Sequence, residues 1–307
     1  MAYQTGLATS AADLIDKLRV FGEAIGWVTN RSSGGTWYLR NASSTLFFAM
    51  EASTGQTAQH GNASGNIPAG RAIYFLSSTS YSTGTLLQQP GYAYRSPVSG
   101  RQLPALEFRA APSGSDRYWF FGTTDYLHVV WRLPGSTYYH MQIGRLDKKG
   151  MNYAGGDYAQ GTGVYWDSSG DWSSLWGEAT YNRNGVRLGG FDVFTGLMEP
   201  VLGVGSGRYS AHPDNALVAA SANAFTGDTI LVPNRLLVLG SNSRRWYIGE
   251  TPDFAVVSLM YCNPEQILTY GAEEWQVFPN FMKGNIGTAN PNRTGSGDTG
   301  YAFRLRR

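Results

Sequence analysis

The chain has 307 residues, of which 15% are charged and 14% aromatic, and its formal net charge is +2. This charge is too small to attract nucleic acid or a membrane surface, so we expect neither as a partner. The 39 glycines and the many aromatic residues favour turn-rich β structure over a helical fold. The scarcity of charges predicts a surface rich in Ser, Thr, Asn, Gly and Tyr, which is typical of surfaces buried in assemblies or in contact with polar ligands.

Targeting and membrane signals are not found in the sequence. The start, MAYQTGLATSAADL, has no positive region followed by a continuous apolar stretch, so we expect no secretory signal peptide and folding in a cytoplasm. No window approaches the ~18 uninterrupted apolar residues of a membrane-spanning helix. Cys262, the single cysteine, excludes an intrachain disulfide and lies in an apolar run, which favours a small buried residue over a reactive thiol.

The first predicted element is an amphipathic helix over residues 10–26. Ser10 is suited to cap its free amides, and Asp13 lies near its positive end. Leu14, Leu18, Phe21 and Ile25 form one apolar stripe, and Gly26 is a natural end. Such a helix ahead of a β-rich body either packs on a sheet edge of its own chain or docks on a neighbouring subunit.

Short strands separated by Ser- and Gly-rich turns are predicted after the helix. They cover residues 27–29, 36–40, 45–50, 71–76 and 103–109. The polar segments 51–70 and 77–100 have loop composition.

Residues 117–146 predict an antiparallel meander and the centre of the fold. Its strands are 118–121, 126–133 and 137–143, with turns at 122–125 and at Pro134-Gly135. In the middle strand one face is wholly apolar and is assigned to the core: Leu127, Val129, Trp131 and Leu133. The other face is assigned as mixed and half exposed: Tyr126, His128, Val130 and Arg132.

Residues 147–171 carry aromatic side chains between many glycines, so we expect no regular structure of any length there. Aromatic rings on such loops offer adaptable contact surfaces at low entropic cost, but the same rings can also fold back to cover a sheet. Both alternatives stay open. The candidate ligand- or partner-contact residues are Tyr153, Tyr158, Trp166, Trp172 and Trp176.

The remaining sequence predicts further short strands and one helical turn over residues 264–268. The strands are 178–182, 186–193, 198–204, 229–232, 236–239, 244–248, 254–261, 274–279 and 301–305. Strand 254–261 is apolar nearly throughout and should be covered on both faces. We therefore predict a mainly β fold, an antiparallel β-sandwich-like unit over residues 1–307, with one N-terminal helix, long Gly/Ser/aromatic loops and a weak division near residue 110.

Catalytic and metal-binding motifs are not found. The histidines (His60, His128, His140 and His212) have no metal-ligand spacing, although His128 and His140 lie on adjacent predicted strands, where a structural role is favoured. There is no nucleophile elbow and no phosphate-binding loop. A glycoside hydrolase needs only two carboxylates, and candidates exist at Asp157, Asp167, Asp171, Glu178 and Asp192, but any β protein of this length offers as many. We expect no enzymatic activity, metal or cofactor.

Blocks at both ends and in the middle of the chain resemble virion structural proteins of tailed bacteriophages. They are MAYQTGLATSAADLIDKLRVFGEAIGWV, RYWFFGTTDYLHVVWRL, YYHMQIGRLDKKG, YAGGDYAQGT, EEWQVFPNF and GYAFRLRR. The resemblance implies a non-enzymatic part of the particle, most often in the tail or baseplate region, made in the host cytoplasm and assembled with copies of itself and other virion proteins. Two alternatives are a tail module that binds a host receptor or surface glycan and a tail-associated glycan hydrolase; a head or collar decoration protein is a further one.

Overall fold

The computed structural model describes residues 1–53, 72–91, 105–107, 116–133, 137–149, 153–161, 185–189, 195–200, 228–239, 245–280 and 299–306. Within these residues the fold is mainly β, with three antiparallel sheets and a single α-helix, which confirms the predicted fold class. No helix in the described ranges has the length and apolar character needed to cross a membrane.

The elements have the following bounds. The helix α1 spans Ala11–Ala24, and a short 3-10 helix spans Leu86–Gln88. The strands are β1 (Ala2–Ala8), β2 (Val28–Ser33), β3 (Thr36–Arg40), β4 (Phe47–Ala52), β5 (Ala72–Ser78), β6 (Ala105–Glu107), β7 (Asp116–Gly122), β8 (Tyr126–Leu133), β9 (Thr137–Arg145), β10 (Asp147–Lys148), β11 (Ala154–Gly161), β12 (Gly185–Gly189), β13 (Thr195–Pro200), β14 (Leu231–Leu239), β15 (Arg245–Ser258), β16 (Ile267–Tyr270), β17 (Glu273–Pro279) and β18 (Thr299–Arg306).

The predicted meander lies within the largest sheet, whose strand order is β1-β7-β8-β9-β11-β12-β13. A second sheet has the order β10-β15-β18-β17-β16, with β14 also paired to β15, and a third has the order β2-β3-β4-β5-β6. Strand β1 forms one edge of the seven-stranded sheet through antiparallel pairing with β7. The sequence AYQTGLA did not predict this strand because it lacks a run of β-branched and aromatic residues.

The central strands of the seven-stranded sheet, β7, β8, β9 and β11, are covered on both faces. One face packs with α1 and the five-stranded sheet, and Phe120, Val129 and Trp131 belong to that core. The opposite face packs on the six-stranded sheet through a second core that contains Phe121 and Phe303. The prediction of a half-exposed meander face was therefore wrong for Tyr126, His128 and Val130, which are buried because a second sheet covers them; Arg132 alone is partly exposed.

The N-terminal helix packs within its own chain. Ser10 accepts a hydrogen bond from the Asp13 amide at 3.1 Å, as expected of an N-cap. Leu14, Leu18 and Phe21 are buried in the core shared with both adjacent sheets. Of the two alternatives for this helix, the described structure shows intrachain packing.

Three local predictions were wrong. Residues 154–161 form the regular strand β11, because pairing with β9 and β12 overrides the local preference of the glycines. The helical turn expected at residues 264–268 is replaced by a turn and the start of β16. The pairs of short strands expected around residues 229–239 and 244–261 are the two long, bulged strands β14 and β15.

The described segments on the two sides of residue 110 pack as one core. Strand β1 pairs with β7, and Trp37 and Trp131 lie in the same buried cluster.

Candidate functional site

The aromatic residues selected from the sequence fall into two groups. Tyr153 and Tyr158 are 4% and 0% exposed and pack between the seven- and six-stranded sheets. Tyr153 donates a hydrogen bond to the Ile248 carbonyl at 2.7 Å. For these two rings the structure shows the alternative in which they cover a sheet, so neither presents a surface to a ligand. Trp166, Trp172 and Trp176 lie outside the described residues and stay predictions.

Among the candidate carboxylates, Asp157 is buried and accepts a hydrogen bond from the Ser77 hydroxyl. Asp167, Asp171, Glu178 and Asp192 lie outside the described residues. The described part of the chain contains no group of three or more His, Cys, Asp or Glu side chains able to hold a metal ion.

His128 and His140 lie in the core between the seven-stranded and the six-stranded sheets. Both are fully buried, and both contact the ring of Phe303, with centroid separations of 5.7 and 6.0 Å. Burial lowers the pKa of His128 to about 3 and that of His140 to about 4. His128 Nε2 lies 3.0 Å from the Tyr158 hydroxyl, and the Pro279 carbonyl lies 2.9 Å from His140 Nε2. These contacts fit structural roles for neutral rings.

The described surface contains a cavity of about 530 Å³ at the outer face of the six-stranded sheet, the face turned away from the seven-stranded sheet. Its walls come from β10, β14, β15, β16, β17 and β18 and from the residue before β14. This volume is in the range of small-molecule sites. We refer to it as the Asp253 cavity, after a lining residue that lies in a bulge of β15.

An irregularity in β15 shapes this cavity. Residues 251–254 oppose the single residue Asn234 of β14, since Pro233 pairs with Ala255 and Arg235 pairs with Glu250. The amide of Asn234 donates to the Thr251 hydroxyl at 2.8 Å and so braces the bulge. Before the bulge β15 pairs with β10, and after it with β18. Bulges of this kind redirect side chains and are frequent beside functional sites.

Asp253, in this bulge, has a φ of 52°, which is uncommon for a residue other than glycine. Its side chain is only 3% exposed and is held from two sides. The Tyr126 hydroxyl donates to one carboxylate oxygen, and Arg304 Nη1 lies 2.8 Å from the other. Positive φ values at non-glycine residues cluster at functional sites, which marks this position as a candidate.

Arg304 connects Asp253 to the rest of the cavity wall. Its Nη2 lies 3.2 Å from Glu273, and its guanidinium lies over the Trp275 ring, 4.6 Å from the centroid. The Trp275 indole donates to the second oxygen of Glu273 at 3.0 Å. These contacts fix the orientation of the carboxylate and the guanidinium, which is the kind of preorganisation that a binding site requires.

A second surface feature lies along β1. This strand has no neighbour on its outer side among the described strands, and its Tyr3 and Leu7 side chains are 40% and 53% exposed. Leu7 pairs with Arg117, whose guanidinium lies 3.9 Å from Glu265 in the turn between β15 and β16. We call this combination of an open strand edge and exposed apolar side chains the β1 edge.

Sequence reasoning placed Trp275 and Arg304 on the two last strands but did not bring them together. They become neighbours only because β17 and β18 pair with Trp275 opposite Arg304. A local signal was present at Pro252-Asp253, between the predicted strands 244–248 and 254–261, since a proline within a sheet is confined to edges, strand starts and bulges.

No protein-family model fits the chain, and no curated protein sequence is significantly similar to it.

Proposed function

We propose that this chain is a non-enzymatic structural component of a tailed-bacteriophage particle, in the tail or baseplate region, and that it acts through contacts between subunits in a symmetric assembly. Its partners are copies of itself and other virion proteins, with which it assembles after synthesis in the host cytoplasm. The sequence resemblance to virion proteins and the low fraction of charged residues support this proposal. The observation that carries it is the β1 edge.

An open edge strand presents unpaired backbone donors and acceptors, so it is a template for pairing with another chain. Strand β1 is seven residues long, and it exposes apolar side chains at Tyr3 and Leu7 rather than the lysine or proline that commonly protects an edge. Pairing of β1 with β1 of a second copy would continue the seven-stranded sheet across a two-fold axis, because antiparallel edges are self-complementary.

The subunit contact is tested with the double variant Tyr3→Lys/Leu7→Lys. We expect sedimentation velocity to show that the unaltered chain self-associates and that this variant is monomeric. The matched control is Val20→Lys, because Val20 is 57% exposed and belongs to α1, not to β1. A monomeric unaltered chain, or a variant that associates as the unaltered chain does, would contradict the role of the β1 edge.

The location is tested by electron microscopy of purified particles of the phage that encodes this sequence, labelled with antibody against the chain. Label on the tail or its tip supports the proposal. Label on the head, or particles that carry none, would overturn it.

The second candidate function is a glycan-binding module of the same particle, and the Asp253 cavity favours it. Sugar sites need a concave surface with an apolar wall and a few fixed polar groups, and the cavity offers both. Retention of host polysaccharide without shortening would support this candidate. Release of reducing ends that one carboxylate change abolishes would instead indicate a glycan hydrolase.

A further inference from the structure

We propose that the Asp253 cavity binds a neutral saccharide, with Tyr270 as the stacking surface and with Glu273 and Arg304 as the groups that contact hydroxyls. The inference gives the second candidate function its site and its ligand class. It uses no residue of the β1 edge, so it can fail while the assembly role stands, and the assembly role can fail while it stands.

The apolar part of the cavity suits the C–H face of a sugar ring. Its walls include the side chains of Ile230, Leu231, Pro233, Pro252 and Tyr270. Tyr270 is 38% exposed, and its hydroxyl donates to the Thr229 carbonyl at 2.5 Å, which holds the ring in one orientation. An anchored but accessible aromatic ring loses little conformational entropy when a ligand packs on it.

The polar part of the cavity is rich in charges that are already paired. Four carboxylates line it, and each lies within 4.0 Å of a basic group: Asp147 with Lys149 at 2.5 Å, Glu250 with Arg235 at 3.7 Å, and Asp253 and Glu273 with Arg304 at 2.8 and 3.2 Å. Because three basic side chains, with Arg304 shared, compensate most of the charge of the four carboxylates, the wall offers strong donors and acceptors with only a small net negative charge. A hydroxyl both donates and accepts, so a polyhydroxylated neutral ligand can use a carboxylate and a guanidinium side by side.

Arg304 retains hydrogen-bonding capacity for such a ligand. Its two terminal nitrogens contact Asp253 and Glu273, each terminal nitrogen carries a further N–H group, and the side chain is 19% exposed. Glu273 is 40% exposed, so its oxygens remain accessible from the cavity.

Two other ligand classes fit less well. An anionic ligand, such as a sialic or uronic acid, would meet four carboxylates and one guanidinium in the walls. A cationic amine would have to compete with Lys149, Arg235 and Arg304, which already occupy these carboxylates. A neutral sugar avoids both costs.

The test is calorimetric titration of the purified full chain with neutral disaccharides that contain glucose, galactose or N-acetylglucosamine, beside sialyllactose and spermidine as probes of opposite charge. We expect at least one neutral sugar to bind and both charged probes to bind more weakly. Tyr270→Ala and Glu273→Gln should each weaken binding by about tenfold, equivalent to about 1.4 kcal/mol. Both residues are partly exposed, so both variants should fold, which thermal melting verifies.

Matched controls come from β17 and from the turn that follows β15. Tyr261→Ala removes an aromatic ring of similar exposure, 42%, and Glu274→Gln removes a neighbouring carboxylate; neither residue lines the cavity. Both control variants should bind as the unaltered chain does. The proposal is overturned if no neutral sugar binds at millimolar concentration, if a charged probe binds best, or if the cavity variants bind no more weakly than the controls.

Discussion

The hydroxyl of Tyr126, in the seven-stranded sheet, donates a hydrogen bond to the carboxylate of Asp253, in the bulge of the six-stranded sheet. Tyr138 makes the equivalent contact with Glu265 at 2.7 Å. Both acceptors have positive φ values, 52° and 69°. Two tyrosines of the seven-stranded sheet therefore contact two acidic residues of unusual backbone conformation, Asp253 in the β15 bulge and Glu265 in the turn before β16, and the two contacts link the two layers.

Tyr126→Phe should lower the free energy of unfolding by about 1.5–3 kcal/mol, the range for hydrogen bonds to charged groups. The ring that fills the core is kept, whereas the buried Asp253 carboxylate loses a donor. Urea denaturation measures the change. Tyr261→Phe is the control, because Tyr261 is 42% exposed. Equal stability of the two variants would show that the Tyr126 contact contributes nothing.

Stability should fall as the pH is lowered from about 6.5 towards 4. The folded-state pKa values of His128 and His140 are about 3 and about 4, against 6.5 for the ordinary side chain. Between these values the unfolded chain binds protons that the folded chain does not, so acid favours unfolding. Each histidine contributes up to about 1.4 kcal/mol per pH unit in this window.

Urea denaturation between pH 7.5 and pH 5 measures this dependence while most carboxylates stay ionised. In the variant His128→Gln the slope should be smaller by the contribution of one histidine, because glutamine does not titrate. An unchanged slope in this variant would show that His128 does not contribute to the pH dependence of stability. His140→Gln tests the second ring in the same way.

Leu18→Asp should destabilise the chain by more than about 3 kcal/mol, because it places a carboxylate in the apolar core under α1. Leu18 is 1% exposed, whereas Val20 on the same helix is 57% exposed. Val20→Asp should therefore change stability by no more than about 0.5 kcal/mol. Thermal melting of the two variants compares the two faces of the helix. Similar melting temperatures would refute the amphipathic packing.

Trp131→Ala should cost about 3–5 kcal/mol, as truncations of buried aromatic residues do. Trp131 is fully buried in the core between the seven-stranded sheet and the α1 layer. Met260→Ala, at a side chain that is 46% exposed, is the control for loss of apolar surface. Equilibrium denaturation gives both values, and a near-neutral Trp131→Ala would place this face outside the core.

The sequence alone predicted those elements whose helix or strand pattern lies entirely within their own residues. The helix followed from the Ser10 cap and the Leu14-Leu18-Phe21 stripe, and β8 has the predicted bounds because residues 126–133 lie between clear turn signals in the sequence. Alternation also assigned Leu127 and Trp131 correctly to the core. Such features depend on residues that are close in sequence, so the sequence is enough to predict them.

Only the tertiary structure decided which faces are covered and which side chains meet. His128 was expected on a half-exposed face, yet it is buried, because the six-stranded sheet that covers it is formed mostly by residues more than a hundred positions later. Strand β1 exists through its pairing with β7 and not through its own composition. The Asp253 cavity depends on a register in which residues 251–254 oppose Asn234 alone, and on the pairing that sets Arg304 beside Trp275. The register of the strands and the packing of the sheets result from burying apolar area between residues that are far apart in sequence. A local sequence pattern therefore cannot predict them.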